Sequence, residues 1–216
     1  KEHARWEKSG QDMEDYYATW VHQIKAPIAV MNVLLQQEDT ETNQNLKAEL
    51  FRVEQYVEMA LNYLRVEDIS SDLSFKQYAV DDMVRQVIRK YAKIFISKKI
   101  KMNFKPTGRY IVTDDKWFVF VLEQFISNAL KYTKKGQISI YMKEKSLVIE
   151  DTGIGIPAED LPRIFEKGFT GYNGRENKKS TGIGLYLCKN IMDKLQWNIT
   201  VDSEVGSGTK IYLTKM

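Results

Sequence analysis

The sequence predicts an α+β protein in which an N-terminal helical hairpin precedes a mixed α/β sandwich. Apolar residues recur every three or four positions between Met13 and Leu64, which is the spacing of amphipathic helices. Beyond the polar segment 70–74, short β-branched runs alternate with further helical patterns. The 216 residues allow one large domain or two small ones, and we place two domains at 1–69 and 70–216.

The helical part is expected to form one antiparallel hairpin. Its first helix covers Met13 to Gln37, and the apolar pattern resumes at Leu46 after the polar segment 38–43. One hairpin cannot cover its own apolar stripe, so two copies would pair into a four-helix bundle and make the protein a homodimer. The alternative is a hairpin that packs on the rest of its own chain.

The second part is expected to form one sheet with helices on one face. Asp114 is a predicted helix cap, because its side chain can accept a hydrogen bond from the first turn. The predicted order is strand 73–78, helix 80–97, strands 101–105 and 110–113, helix 114–132, strands 136–143 and 146–151, helix 182–195, and strands 197–203 and 209–213.

Composition narrows the range of partners and compartments. With 32 basic and 29 acidic residues the net charge is only +3, so neither nucleic acid nor an anionic membrane is needed as a partner. The single cysteine, Cys188, lies among apolar residues of a predicted helix, and we interpret it as a core residue rather than a reactive thiol. No stretch approaches the roughly 20 apolar residues that span a bilayer. Since the chain also begins at Lys1, we expect the cytoplasmic portion of a longer protein.

Two glycine-centred motifs indicate a nucleotide site. In the run from Asp151 to Gly155 a tight turn lets the carboxylate face a ligand while bare glycine backbone comes close. The run from Gly182 to Leu185 opens a helix, where free N–H groups and the helix dipole favour phosphate. Each motif alone is weak, since Asp-x-Gly-x-Gly is more often a turn or a metal loop. With Asn128 upstream, the ordered set indicates ATP.

As an ordered set, these motifs resemble the catalytic core of bacterial sensor histidine kinases, over residues 13–216. The set comprises a histidine box at 22–27, an asparagine box at 124–132, glycine boxes at 151–156 and 182–185, and a phenylalanine box at 164–169. Residues 20–25 and 166–175 most resemble the short intramembrane-sensing kinases of Firmicutes that respond to antibiotics such as bacitracin. The resemblance implies a Bergerat-type ATP-binding domain that uses Mg²⁺ and ATP.

The histidine box implies phosphotransfer chemistry. His22 should point away from the apolar stripe, and an exposed imidazole is a nucleophile near neutral pH, although an uninvolved surface histidine is the alternative. Lys25 belongs to the same box. Gln23 stands where the family usually has Glu or Asp, and Ala26 where it has Thr or Asn. Because an amide is a poor base and a methyl group holds no water, we expect slow autophosphorylation and weak phosphatase activity.

The resemblance also implies the nucleotide contacts. Asp151 would accept a hydrogen bond from the adenine amino group, while Gly153 and Gly155 let the loop turn beside the base. Asn128 would coordinate Mg²⁺, and Gln124 is a second candidate ligand. The remaining candidates are Lys131 for phosphate, Tyr132 for adenosine or equally for the core, and Thr181, Gly182, Gly184 and Leu185 at the second glycine box.

Two polar segments carry open alternatives. The segment 169–181 lacks an apolar period and is expected to be a mobile lid. Within it Arg175, Lys178 and Lys179 either close on the triphosphate or form a solvated charge run. The run 206–209 is either a last glycine box or a plain hairpin turn.

The partners follow from the resemblance. We expect a homodimer, a response-regulator receiver domain that takes the phosphoryl group, and an ABC transporter contacted through a membrane part of a bacterial inner-membrane protein. Two other classes stay open. Another Bergerat-fold ATPase, such as a chaperone or a gyrase-type enzyme, would have no reason to carry His22. A nucleotide-binding scaffold with degenerate chemistry would be consistent with the altered histidine box.

Overall fold

The structure, a computed structural model, describes residues 19–20, 23–38, 40–66, 69, 73–171 and 181–216. The chain divides into two units, Lys1–Asp68 and Ile69–Met216, and each is described by itself. The predicted helical residues 13–18 lie outside the described part. Among the described helices, none combines the length and the apolar character that a membrane crossing requires.

The first unit contains a helical hairpin. Helix α1 covers 23–35, with residues 19–20 also helical, and helix α2 is Glu41–Arg65. Asn32 of α1 donates a hydrogen bond from Nδ2 to Glu54 Oε1 of α2 at 2.7 Å. The loop is shorter than predicted, because the Thr40 hydroxyl already caps α2 by accepting from the Asn43 N–H at 3.1 Å.

The hairpin buries little of its apolar surface within one chain. Of its described apolar side chains, Ile28, Leu50 and Val66 are buried. The large apolar side chains that stay exposed are Trp20, Val30, Met31, Val33, Leu34, Leu46, Val53 and Tyr56. An apolar surface of this extent on two helices is typical of an interaction face.

The second unit contains a five-stranded mixed sheet and a two-stranded ribbon. The sheet order is β2-β4-β5-β7-β6, in which β2 and β4 are parallel and the other pairs are antiparallel. The elements are β1 Lys76–Ala79, α3 Val80–Lys98, β2 Lys101–Phe104, β3 Tyr110–Thr113, α4 Asp115–Tyr132, β4 Gln137–Lys143, β5 Ser146–Asp151, a short 3₁₀ helix Leu161–Arg163, α5 Gly184–Lys194, β6 Trp197–Glu204 and β7 Gly208–Lys215.

The prediction of a single sheet is wrong, because β1 and β3 pair with each other instead of joining the larger sheet. Their antiparallel register runs from Lys76 opposite Thr113 to Ala79 opposite Tyr110. The first strand also begins later than predicted. Ser74 uses its backbone N–H to donate to Asp114 Oδ2 at 2.9 Å, so this residue does not enter a strand ladder.

Helix α4 lies at the centre of the second unit. Twelve of its eighteen residues are buried, and it packs against α3, α5 and β5. Its predicted cap is confirmed, since Asp114 Oδ1 accepts from the Trp117 N–H at 3.1 Å. The burial of Cys188 on α5 confirms it as a core residue, and this burial raises the pKa of the thiol.

Asp81, in the first turn of α3, holds the loop that leads to β3. Its Oδ1 accepts from the N–H and the hydroxyl of Thr107 at 2.8 and 2.7 Å, and Oδ2 accepts from the Gly108 N–H at 3.2 Å. Burial opposes the charge, but these donors and Arg85 hold the pKa of Asp81 below its ordinary value of 3.8. The resulting stabilisation is present at neutral pH and is lost as the pH falls below that value.

Replacing Asp81 with Asn is therefore expected to lower the free energy of unfolding by about 1–2 kcal/mol at neutral pH, because an amide oxygen accepts fewer and weaker hydrogen bonds. Urea titration followed by tryptophan fluorescence measures this, and the difference from the parent should shrink in acid. Asp82→Asn is the matched control, since this side chain is 81% exposed and lies 3.6 Å from Arg85. Equal losses in the two variants would contradict the role of Asp81.

Candidate nucleotide site

The carboxyl group of Asp151 stands at the end of β5, on the sheet face that the helices cover. Asp151 is paired directly with Ile138, whose side chain is fully buried on that face. Burial raises the pKa of Asp151, and the N–H groups of Gly153 and Thr209 oppose that shift. Gly153 donates to Oδ1 at 2.8 Å. The strand end therefore presents a half-buried acceptor that two backbone donors help to hold.

Gly153 allows the turn after β5 to pack against the end of α4. A Cβ at this position would lie 2.7 Å from Asp151 Oδ1, 2.8 Å from Tyr132 O and 3.0 Å from Thr133 Oγ1. Ile154 donates its N–H to the same Tyr132 oxygen at 3.3 Å. A side chain at Gly153 would push the carboxyl group and the helix end apart.

The turn between β6 and β7 packs against the other side of the loop that follows β5. Gly155 has φ +71°, and a Cβ there would overlap the carbonyl oxygen of Glu204. Gly206 donates its N–H to Ile154 O at 2.8 Å. Ser203 Oγ accepts from the Ile156 N–H at 2.9 Å, which ties β6 to the same loop.

The run 206–209 both turns the hairpin and supports the site. Gly208 has φ +102°, and a Cβ there would overlap the backbone oxygen of Asp151. The missing side chain therefore lets β7 approach the strand end closely. Sequence reasoning left this run open between a glycine box and a plain turn, and the close approach was not visible without the pairing of β5 with β7.

The asparagine box lies on the C-terminal half of α4. Asn128, Lys131 and Tyr132 are half-buried, whereas Gln124, one turn earlier, is 8% exposed. Lys131 Nζ lies 5.0 Å from the centroid of the Tyr132 ring. In the described ranges, no group of three or more His, Cys, Asp or Glu side chains could hold a metal ion. The amide oxygens available here fit a hard cation that keeps water and phosphate ligands.

Helix α5 begins with backbone donors that no side chain of the described residues caps. Gly184 and Leu185 occupy its first turn. Gly182 precedes it with φ +68°, which a right-handed helix excludes, so α5 starts two residues later than predicted. Gly182 O accepts from the Gly168 N–H at 3.0 Å, and a Cβ on Gly182 would overlap the Gly168 backbone. Thr181 Oγ1 accepts from the Ile183 N–H at 3.3 Å.

Several predicted site residues fall outside the described part of the chain. Arg175, Lys178 and Lys179 lie within 172–180, and His22 lies between the two described stretches of the first helix. Gln23, Lys25 and Ala26 are described, and all three are exposed on α1. Their roles stay predictions.

Thr133 was missed by sequence reasoning. It is the first residue after α4, and its side chain is fully buried beside Gly153. Nothing in the local pattern distinguishes it from an ordinary polar residue at a helix end. Only the packing of α4 against the β5 turn brings it to the site.

The strand-end carboxylate, the glycine-lined turn and the start of α5 define an ATP-binding domain, and comparison with known families agrees. Residues 113–215 match the family described as histidine kinase-, DNA gyrase B-, and HSP90-like ATPase. Full-length ShkA in complex with AMPPNP has a similar fold, with a TM-score of 0.65 over 92% of this chain and 45% of ShkA. At 19% identity this likeness concerns the fold alone. The predicted fold class is confirmed.

Relatives that align with nearly the whole chain give a narrower class of similar proteins than the domain match does. The chain is 35% identical over 212 residues to the sensor histidine kinase YxdK of Bacillus subtilis (strain 168), across 93% of this chain and 65% of YxdK. It is 31% identical over 216 residues to the sensor protein BceS of the same organism, across 98% of this chain and 65% of BceS. Over nearly its whole length the chain is therefore similar to bacterial sensor histidine kinases, in agreement with the resemblance that the motifs carry. It spans 65% of the length of these two relatives.

Gly155→Ala is expected to reduce stability and nucleotide affinity more than Gly206→Ala does. Both residues have left-handed φ values, +71° and +82°, so each substitution carries a backbone penalty of about 1–2 kcal/mol. At Gly155 the methyl group also meets the Glu204 carbonyl, whereas no atom of the described residues lies within 4 Å of a Cβ at Gly206. Urea unfolding and titration with a fluorescent ATP analogue measure both effects. Equal losses would rule out the contact with Glu204 as a constraint.

Proposed function

We propose that this protein is an autophosphorylating histidine kinase. A ring nitrogen of His22 attacks the γ-phosphorus of ATP, the bond to the ADP oxygen breaks, and the imidazole proton passes to solvent. The phosphoryl group then moves to an aspartate of a response-regulator receiver domain. The observation that carries this proposal is the half-buried Asp151 acceptor in a glycine-lined turn of a domain that matches the ATPase family. The AMPPNP complex of ShkA supports the nucleotide assignment.

Asp151 selects adenine by charge and hydrogen-bond direction. Its carboxylate is an obligate acceptor, so it pairs with the 6-amino donor of adenine. Guanine presents a carbonyl oxygen at that position, and two acceptors repel each other. The Gly153 N–H, at 2.8 Å from Oδ1, keeps the carboxylate in place for this reading.

The phosphate end of the nucleotide lies toward the second half of α4 and the start of α5. Asn128 and Gln124 would hold Mg²⁺, which when bound neutralises charge on the phosphates. Lys131 adds a positive charge one turn after Asn128. The backbone N–H groups of Gly184 and Leu185 favour phosphate oxygens because no side chain in the described part of the chain caps α5.

The phosphoacceptor belongs to the hairpin, and its neighbours tune the rate. Gln23 is exposed beside His22 and, as an amide, is a poor proton acceptor. We therefore expect that the imidazole proton leaves slowly and that autophosphorylation is slow. Ala26 is exposed and offers no hydroxyl to orient water, which favours kinase over phosphatase activity.

The partners are part of the same proposal. The exposed apolar side chains of the hairpin fit a second copy of this chain, so that a four-helix bundle forms in a homodimer. The receiver domain takes the phosphoryl group from His22. Attachment to the membrane and contact with an ABC transporter, which the family resemblance implies, would involve other parts of a longer protein.

His22→Gln is expected to abolish labelling by γ-labelled ATP and Mg²⁺ while ATP affinity stays within a few-fold. The nucleophile and the nucleotide site belong to separate units of the chain. The parent should carry acid-labile, alkali-stable label, and His3→Gln, which replaces the only other histidine, should label like the parent. Phosphate release without label would indicate an ATPase, and neither signal would indicate a scaffold.

Asp151→Asn is expected to weaken ATP binding by about tenfold to a hundredfold, because a buried donor against the adenine amino group costs about 1–3 kcal/mol. Titration with a fluorescent ATP analogue measures the affinity. Glu150→Gln is the matched control, since its neighbouring carboxylate accepts from the Tyr141 hydroxyl at 2.8 Å on the opposite face of the sheet. Unchanged affinity in Asp151→Asn would remove the adenine-reading role.

A further inference from the structure

Thr133 places a hydroxyl group in the interior without a hydrogen bond. Its side chain is fully buried, and its Oγ1 has no partner of normal geometry among the described residues. Its backbone N–H already has a partner, because it donates to Ala129 O at 2.9 Å at the end of α4. An unpaired buried hydroxyl costs free energy and calls for an explanation, such as a partner that arrives with a ligand or a group that must be positioned.

The partner that this hydroxyl faces is the carboxyl group of Asp151. The Cβ that Gly153 lacks would lie 3.0 Å from Thr133 Oγ1 and 2.7 Å from Asp151 Oδ1, so both oxygens border the same small space. The hydroxyl is close enough to lower the pKa of the Asp151 carboxyl, although the two groups do not meet the geometry of a normal hydrogen bond.

We propose that Thr133 is a positioning residue for base recognition: its hydroxyl donates to the Asp151 carboxylate when the adenine amino group docks, and it fixes the orientation of that carboxylate. The carboxylate accepts hydrogen bonds from the Gly153 N–H of the loop and from the Thr209 N–H of β7. Thr133 would add a third donor at the end of α4. This role rests on the proposed nucleotide-binding function. It also joins the base-reading carboxylate to the helix that carries Asn128.

The proposed role requires only that the side chain at position 133 carries a hydrogen-bond donor. Threonine and serine provide a hydroxyl, whereas valine has the shape of threonine without one. A ligand that lacks the 6-amino group gains nothing from an oriented carboxylate. The effect of Thr133 should therefore appear with ATP and disappear with purine riboside triphosphate, which has hydrogen at that position.

The test measures the affinity of the full chain for these two nucleotides by calorimetry. Thr133→Val should weaken ATP five- to tenfold and change the binding of purine riboside triphosphate less than twofold. Thr133→Ser should restore ATP affinity to within twofold of the parent. Thr113→Val is the matched control, because Thr113 is equally buried, its Oγ1 is also without a partner in the described part, and it lies on β3.

Equal losses for both nucleotides, or no loss for ATP, would overturn the proposal. If Thr133→Val does not fold in urea titration, Thr133→Ala and the serine variant decide the same question. In an Asp151→Asn background, Thr133→Val should have no further effect on ATP, and an additive loss would mean that Thr133 acts elsewhere. A parent that binds neither nucleotide would refute the proposed function, whereas an ATP-binding parent with indifferent Thr133 variants would refute this inference alone.

Discussion

The second unit depends on the close approach of three backbone segments around one half-buried carboxylate. The β5 turn, the end of β6 and the start of β7 all come within contact of Asp151 or of the loop that follows it. Gly153, Gly155 and Gly208 are placed where a Cβ would meet another backbone or the carboxyl group. Glycine at these positions is a packing requirement, and the shape of the site is its consequence.

Helix α4 combines a large buried apolar surface with polar side chains near its C-terminal end. Residues 117–126 are all buried, and even the charged Glu123 is tolerated there because Lys90 Nζ lies 2.6 Å from its Oε2. In its last two turns Asn128, Lys131 and Tyr132 are half-buried, while Ala129 and Leu130 stay in the core. These candidate binding residues therefore lie on a helix whose position is fixed by its packing in the core.

The hairpin, in contrast, leaves many of its large apolar side chains exposed. Its apolar side chains, such as Val33 and Leu34, stay exposed in the single chain, so its stability has to come from a further surface. The histidine box lies on this hairpin, and its described residues Gln23 and Ala26 face solvent. These exposed positions suit the proposed encounter with first a nucleotide and then a partner domain, whereas the proposed nucleotide site is the enclosed turn beside Asp151.

The sequence alone determined the order of the elements, the cap at Asp114 and the glycine motifs. These features depend on residues close together in the chain, since helical period, capping and turn chemistry act over a few positions. Only the tertiary structure decided that β1 pairs with β3, that β7 meets Asp151 through Gly208, and that Thr133 belongs beside them. Those contacts join segments roughly 20 to 60 residues apart, and no local pattern records which distant backbone a strand or a helix end will touch.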